Sequence, residues 1–196
     1  MIELIYSTIS VPVIPSLRAE SVGKKMASVE ENLPVVDENG LVIAQSPRPY
    51  VHGGSKLLHP VVHLHIMDRM GRIYLQKRSV TKKLLPGYWD TAVGGHVSFG
   101  ETIREALYRE TYEELGLADF NPVFLASYIH ESQIEKELVS VYAAIGTFDL
   151  KPNPEEVECG KWWPIQEINE AKGKDMLTPN FESEIERIGA SLAALL

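Results

Sequence analysis

The chain has 196 residues and a formal net charge of −8. That balance argues against a non-specific nucleic-acid binder, which needs a broad basic surface, while the length suits one domain with a sizeable core. No apolar run approaches the ~20 residues of a membrane helix, and Cys159, the only cysteine, rules out an internal disulfide, so a cytoplasmic protein that meets neither nucleic acid nor membrane is expected.

Residues 1–32 read as an extension of unclear structure: Pro12 and Pro15 interrupt any helix, and the early Glu3 with no basic leader fits a secretion signal poorly. A domain is expected over 33–196. It opens with a hairpin over 33–48, where two apolar runs flank Asp37–Gly40 and Asn39-Gly40 is a strong turn signal. A weak helical turn fits "SPRPYVHGGSKLL". "HPVVHLHIMDRMGRIYLQKRS" reads as strand, turn and strand, with the turn near Asp68–Gly71. "TKKLLPGYWDTAVGG" is a loop entering a short strand. A helix over about 102–115 meets its stop at Gly116. "PVFLASYIHE", "ELVSVYAAIGTFDL" and "EVECGKWWPI" supply three further strands, and "IQEINEAKG" a short helix. An amphipathic helix over about 180–194 closes the chain, with Phe181, Ile185, Ile188 and Leu192 on one side. Strands in hairpins with few helices between and after them predict an α+β or mixed α/β sandwich. The apolar end "SLAALL" offers a surface to the domain itself or to a second copy, so a homodimer is one expectation.

The central helix carries an electrostatic conflict. At about 100° per residue, Glu110, Glu113 and Glu114 share one arc with Ile103, Ala106 and Leu107. Clustered glutamates repel one another and resist desolvation. An ordinary acidic surface helix is the plain alternative. A hard divalent cation, Mg²⁺ or Mn²⁺, resolves the conflict through oxygen ligands.

The spacing around that helix is longer than a bare E-x-x-E-E. Gly95, Glu101, Arg109-Glu110, Glu113-Glu114, Gly116 and Leu117 follow the order G-x5-E-x7-R-E-U-x-E-E-x-G-U, where U is a bulky aliphatic. This resembles the box of the Nudix family, with Thr111 at the first U position as the one departure. The resemblance implies an α/β/α sandwich around a mixed sheet. It also implies a metal site at Glu110, Glu113 and Glu114, with the Gly95 carbonyl as a further ligand, and water attack on a diphosphate linkage. Arg109 is placed to orient Glu101 through a charge-assisted pair. The substrate class implied is a nucleoside diphosphate derivative or related small diphosphate. A box that binds such a ligand without cleaving it is an alternative.

The similarity reaches beyond the box. "LLHPVVHLHIMDRMGRIYLQKRSVTKKLLPGYWDTAVGGHVSFGE" looks like the Nudix subgroup related to isopentenyl-diphosphate isomerase. By that resemblance, His52, His59, His96, Glu135 and Glu137 would hold a second divalent metal. Those isomerases carry a catalytic cysteine where this chain has Gly94, which disfavours a prenyl-diphosphate isomerase. Arg78 and Lys82 match diphosphate-contacting positions, inside a local basic cluster with Arg72, Lys77 and Lys83. His63 and His65 alternate along one strand face with His59 and are expected to line the substrate cavity, opposite a core face of Val62, Leu64 and Ile66. Glu156, in the loop before the final strand, is the first candidate for a catalytic base brought from outside the box.

Overall fold

The computed structural model describes residues 5–6, 31–82 and 84–196. Most of the expected extension, and Lys83 of the basic cluster, lie outside the described residues. The chain sorts into two compact units. One holds Met1–Val61, His96–Ala106 and Ser127–Ser140, and the other holds Val62–Gly95, Leu107–Ala126 and Val141–Leu196.

The first elements are strands β1 (Ile5–Tyr6), β2 (Asn32–Val36) and β3 (Leu41–Pro47). They form a three-stranded sheet in the order β1-β3-β2, with β1 parallel and β2 antiparallel to β3. Along β3, Leu41 and Ile43 face outward while Val42 and Ala44 are buried, the alternation that a strand pleat imposes. The β2–β3 turn forms where the sequence marks it. Asp37 Oδ1 accepts the N–H groups of Asn39 and Leu41 at 2.9 Å each, and Gly40 supplies the positive φ of 81°.

Helix α1 (Arg48–Val51) leads to β4 (Leu58–Met67) and β5 (Ile73–Arg78). Their turn repeats the same device: Asp68 Oδ1 accepts from Met70 and Arg72, and Gly71 takes φ 77°. Next come β6 (Trp89–Asp90), β7 (Val93–His96), helix α2 (Ile103–Leu115), β8 (Val123–Glu131), β9 (Lys136–Ile145) and β10 (Val157–Trp163). Helices α3 (Ile165–Ala171) and α4 (Pro179–Ala193) close the chain. The larger sheet runs β10-β5-β4-β9-β8, with β6 paired to β5 and β7 to β4. The architecture is therefore mixed α/β. Because β4 lies inside the sheet, its residues on both faces, the histidines His59 and His65 included, are buried except for His63.

Helix α2 starts on a reciprocal cap. Thr102 Oγ1 accepts the Glu105 N–H at 3.2 Å, and the Glu105 carboxylate accepts the Thr102 N–H at 2.9 Å. Gly116, at φ 63°, ends it. Thr111, at the aliphatic position of the box, is fully buried, and its hydroxyl donates to the Leu107 carbonyl at 2.6 Å. A hydroxyl satisfied on its own helix costs little in an apolar setting, so the departure is absorbed locally. Helix α4 starts at Pro179, with Thr178 Oγ1 accepting the Phe181 N–H at 3.2 Å.

Candidate functional site

The three glutamates of α2 are graded in depth. Glu114 is buried, the Glu110 side chain keeps 15% exposure and the Glu113 side chain 53%. Desolvation pushes the Glu114 carboxyl up to about 8, helped by the charge of Glu110; a hydrogen bond from Gln76 and the nearby Lys82 pull the other way. Gln76, on β5, donates to Glu114 Oε2 at 3.0 Å. Arg109 Nη1 reaches Glu110 Oε1 at 2.8 Å and Glu113 Oε2 at 3.1 Å. It thereby ties two of the three carboxylates together.

Gly95, on β7, packs directly on this cluster. A Cβ built there would lie 2.0 Å from the Glu110 carboxyl carbon, so only glycine fits while Glu110 keeps its place. Glu101, the box glutamate before α2, accepts the Ser98 N–H at 3.0 Å.

The residues proposed outside the box are also engaged. Lys82 reaches Glu156 Oε2 at 2.7 Å, and both charges act on Glu114. The phosphate-contact candidate and the base candidate therefore hold each other beside the buried carboxylate. Arg78 pairs with Asp90 at 3.1 Å and donates to the Leu84 carbonyl. Asp90 in turn accepts the Thr178 hydroxyl at 2.8 Å.

His63 and His65 meet a partner that the sequence reading did not include. Glu184, fully buried on α4, lies 2.8 Å from His63 Nδ1 and 2.6 Å from His65 Nε2. Burial alone would raise this carboxyl, but the two histidines outweigh it and hold it well below the usual carboxylate range. His65 is fully buried, its ring 6.0 Å from Phe181. His63 keeps an edge against Gly94. Glu184 was findable. At about 100° per residue it lies some 60° from Phe181, on the apolar stripe of α4, the same kind of misplacement that drew attention to α2.

A second cluster forms in the other unit. His52, His59 and His96 bring ligand atoms within 4.8 Å of one another, as do His59, Glu135 and Glu137. All five residues implied by the resemblance thus converge. Among the described residues, the α2 glutamates alone form no comparably tight triple.

The hydrogen bonds of this cluster set its tautomers. His59 Nδ1 donates to the Leu57 carbonyl at 2.9 Å and His52 Nδ1 to Glu135 Oε1 at 2.9 Å. That leaves the Nε2 lone pairs of both, which are buried without a hydrogen-bond partner, turned to a shared place. Desolvation lowers the His59 pKa, and the His52 hydrogen bond lowers that of Glu135. Neutral imidazole and ionised carboxylate are the forms a cation needs. His96 fits less well, because Arg48 Nη2 contacts its Nδ1 at 3.3 Å. Arginine only donates, so ligation through His96 Nε2 requires that contact to open.

The NUDIX domain family model matches residues 57–181. An isopentenyl-diphosphate Delta-isomerase of Mycolicibacterium vanbaalenii is 30% identical over 146 residues, covering 70% of this chain and 79% of the relative. An uncharacterised Nudix hydrolase of Streptomyces coelicolor is 32% identical over 169 residues, covering 84% and 92%. Among solved structures, DR0079 from Deinococcus radiodurans superposes with a TM-score of 0.68 at 26% identity, covering 81% of this chain and 99% of that one.

Proposed function

The chain belongs to the Nudix family, and we propose that it is a divalent-metal-dependent hydrolase that cleaves a diphosphate linkage by water attack, in a nucleoside diphosphate derivative or a related small diphosphate. One observation carries the reading: Gly95 is packed on Glu110, beside a Glu114 whose burial and nearness to Glu110 disfavour its charge. Such a donor set suits a hard cation. Mg²⁺ or Mn²⁺ held by Glu110, Glu113, Glu114 and the Gly95 carbonyl would stabilise developing charge and make bound water more acidic.

The chain's own groups supply the rest. Gln76 fixes the buried arm of Glu114, and Arg109 fixes Glu110 and Glu113. Glu101 stands at the entrance to α2. Arg78 and Lys82 contact phosphoryl oxygens, and Glu156, once released from Lys82, accepts the proton of the attacking water. The His52, His59, His96, Glu135 and Glu137 cluster would hold a second divalent cation. The substrate is a small molecule met in the cytoplasm; among the described residues no helix is long and apolar enough to cross a membrane.

The test is a panel of nucleotide sugars, dinucleoside polyphosphates, nucleoside triphosphates and prenyl diphosphates, incubated with Mg²⁺ and followed by product identification. Turnover abolished in Glu114→Gln is expected. A folded, metal-loaded protein that turns over none of them refutes the reading. A second reading, isopentenyl-diphosphate isomerisation, draws on the His/Glu cluster and the Mycolicibacterium relative. Gly94 offers no thiol there, and conversion of isopentenyl to dimethylallyl diphosphate would decide for it.

A further inference from the structure

Helix α4 turns a carboxylate inward from its apolar face, and both oxygens are occupied. Glu184 Oε2 meets His63 Nδ1 at 2.8 Å and Oε1 meets His65 Nε2 at 2.6 Å. An ionised carboxylate only accepts, so both of these nitrogens carry protons. A buried anion between two neutral rings is costly, and a compensating positive charge on one ring removes most of that cost.

The two rings are unequal as carriers of that charge. His65 is fully buried, and its other nitrogen, Nδ1, has no hydrogen-bond partner. A proton there would be an unsatisfied donor on a buried cation. His65 is therefore the neutral ring. The His63 side chain keeps 12% exposure, and its Nε2 edge faces Gly94, where a Cβ would stand 3.6 Å from Nε2. The next residue, Gly95, packs on Glu110.

We propose that Glu184 holds His63 as an imidazolium, braced by neutral His65, and that His63 Nε2–H is a fixed donor to an anionic oxygen of the substrate at Gly94–Gly95 of β7. Glu184 is a positioning residue, since it acts only through His63. The inference rests on the diphosphate reading of the site for the identity of the anion, and on the α4 geometry alone for the proton arrangement.

Nitrogen-15 NMR of ring-labelled histidines in the metal-free wild type tests the proton arrangement first. The expected result is protons on both nitrogens of His63 and on Nε2 alone of His65. A single proton on His63 at neutral pH overturns the proposal. Inorganic pyrophosphate with Mg²⁺ is then added: the His63 signals move and those of His65 hold. His63→Gln binds pyrophosphate about tenfold more weakly, as expected for a lost charged hydrogen bond. Unmoved His63 signals, or equal binding by the variant, overturn the anion contact. A wild type that binds no pyrophosphate overturns the diphosphate reading and that contact together, while the proton count still decides the charge on His63.

Discussion

Gln76 donates its side-chain amide to Glu114 at 3.0 Å, and both residues are buried. This single neutral hydrogen bond is outweighed by desolvation, and the carboxyl titrates at about 8 instead of the ordinary 4.5. The folded state therefore keeps a proton that the unfolded chain gives up. The Glu114 contribution to the stability of the metal-free protein is expected to be full below 4.5 and to decline as pH rises through about 8. Glu114→Gln removes this decline, and thermal melts at several pH values with a chelator present check it. Mg²⁺ should raise the melting temperature of the wild type most at the alkaline end, where no proton competes for the carboxylate.

Gly95→Ala separates fold from site. The added methyl strikes Glu110 at the flexible end of its side chain, so Glu110 swings aside and the backbone stays. The expected result is a melting temperature within a few degrees of wild type and metal affinity lower by about 10- to 100-fold, as for a misplaced ligand shell. Calorimetric titration with Mn²⁺ measures the second quantity.

The two clusters should bind divalent ions independently. His59→Ala is expected to remove one equivalent of bound metal and Glu114→Gln another, each leaving the other in place. Elemental analysis after equilibrium dialysis counts them. Arg48→Gln should strengthen binding at the histidine cluster, because it frees His96 Nδ1 to carry the proton that ligation through Nε2 requires.

Glu184→Ala leaves two buried imidazoles without their acceptor. Breaking a buried pair in this way costs about 3–5 kcal/mol, readable from urea unfolding. The wild-type contribution has the opposite sign to that of Glu114. The folded carboxyl lies below its ordinary 4.5, so this stability is present above that value and is lost as pH falls through the folded one. Acid unfolding of the wild type should therefore be steeper than that of the variant.

Gly94→Cys tests the missing thiol. The nearest atoms to a Cβ at this position are His63 and Thr91 side-chain atoms at 3.5–3.7 Å, ordinary contact distances. The variant should fold, and assay with isopentenyl diphosphate shows whether a thiol there suffices for isomerisation.

Much of this structure was legible because local chemistry decided it. Two Asp-x-x-Gly turns fixed the hairpins, and Gly116 fixed the end of α2. That Glu110, Glu113 and Glu114 share a face was readable because spacing along one helix carries its own geometry. The partners were harder to see. Gln76 lies on β5, 38 positions before Glu114, and nothing in its strand distinguishes it from any half-buried polar residue. Arg48 beside His96 is equally silent. Glu184 was within reach of the helical arithmetic, but a glutamate on an apolar stripe gains meaning only when its receiver, a pair of histidines on β4, is known. The two histidines of that β4 face differ in depth: His63 keeps an edge, while His65 is fully buried.

Glu184 follows His63 by 121 positions. During synthesis the ribosome delivers β4 well before the acceptor for its histidines. Contacts this distant close a long loop, whose entropy cost must be met before the contact rewards it. The imidazoles must wait, solvated or unpaired, until α4 emerges, so a nascent or prematurely terminated chain can carry the whole glutamate box and still lack the carboxylate that sets its histidines.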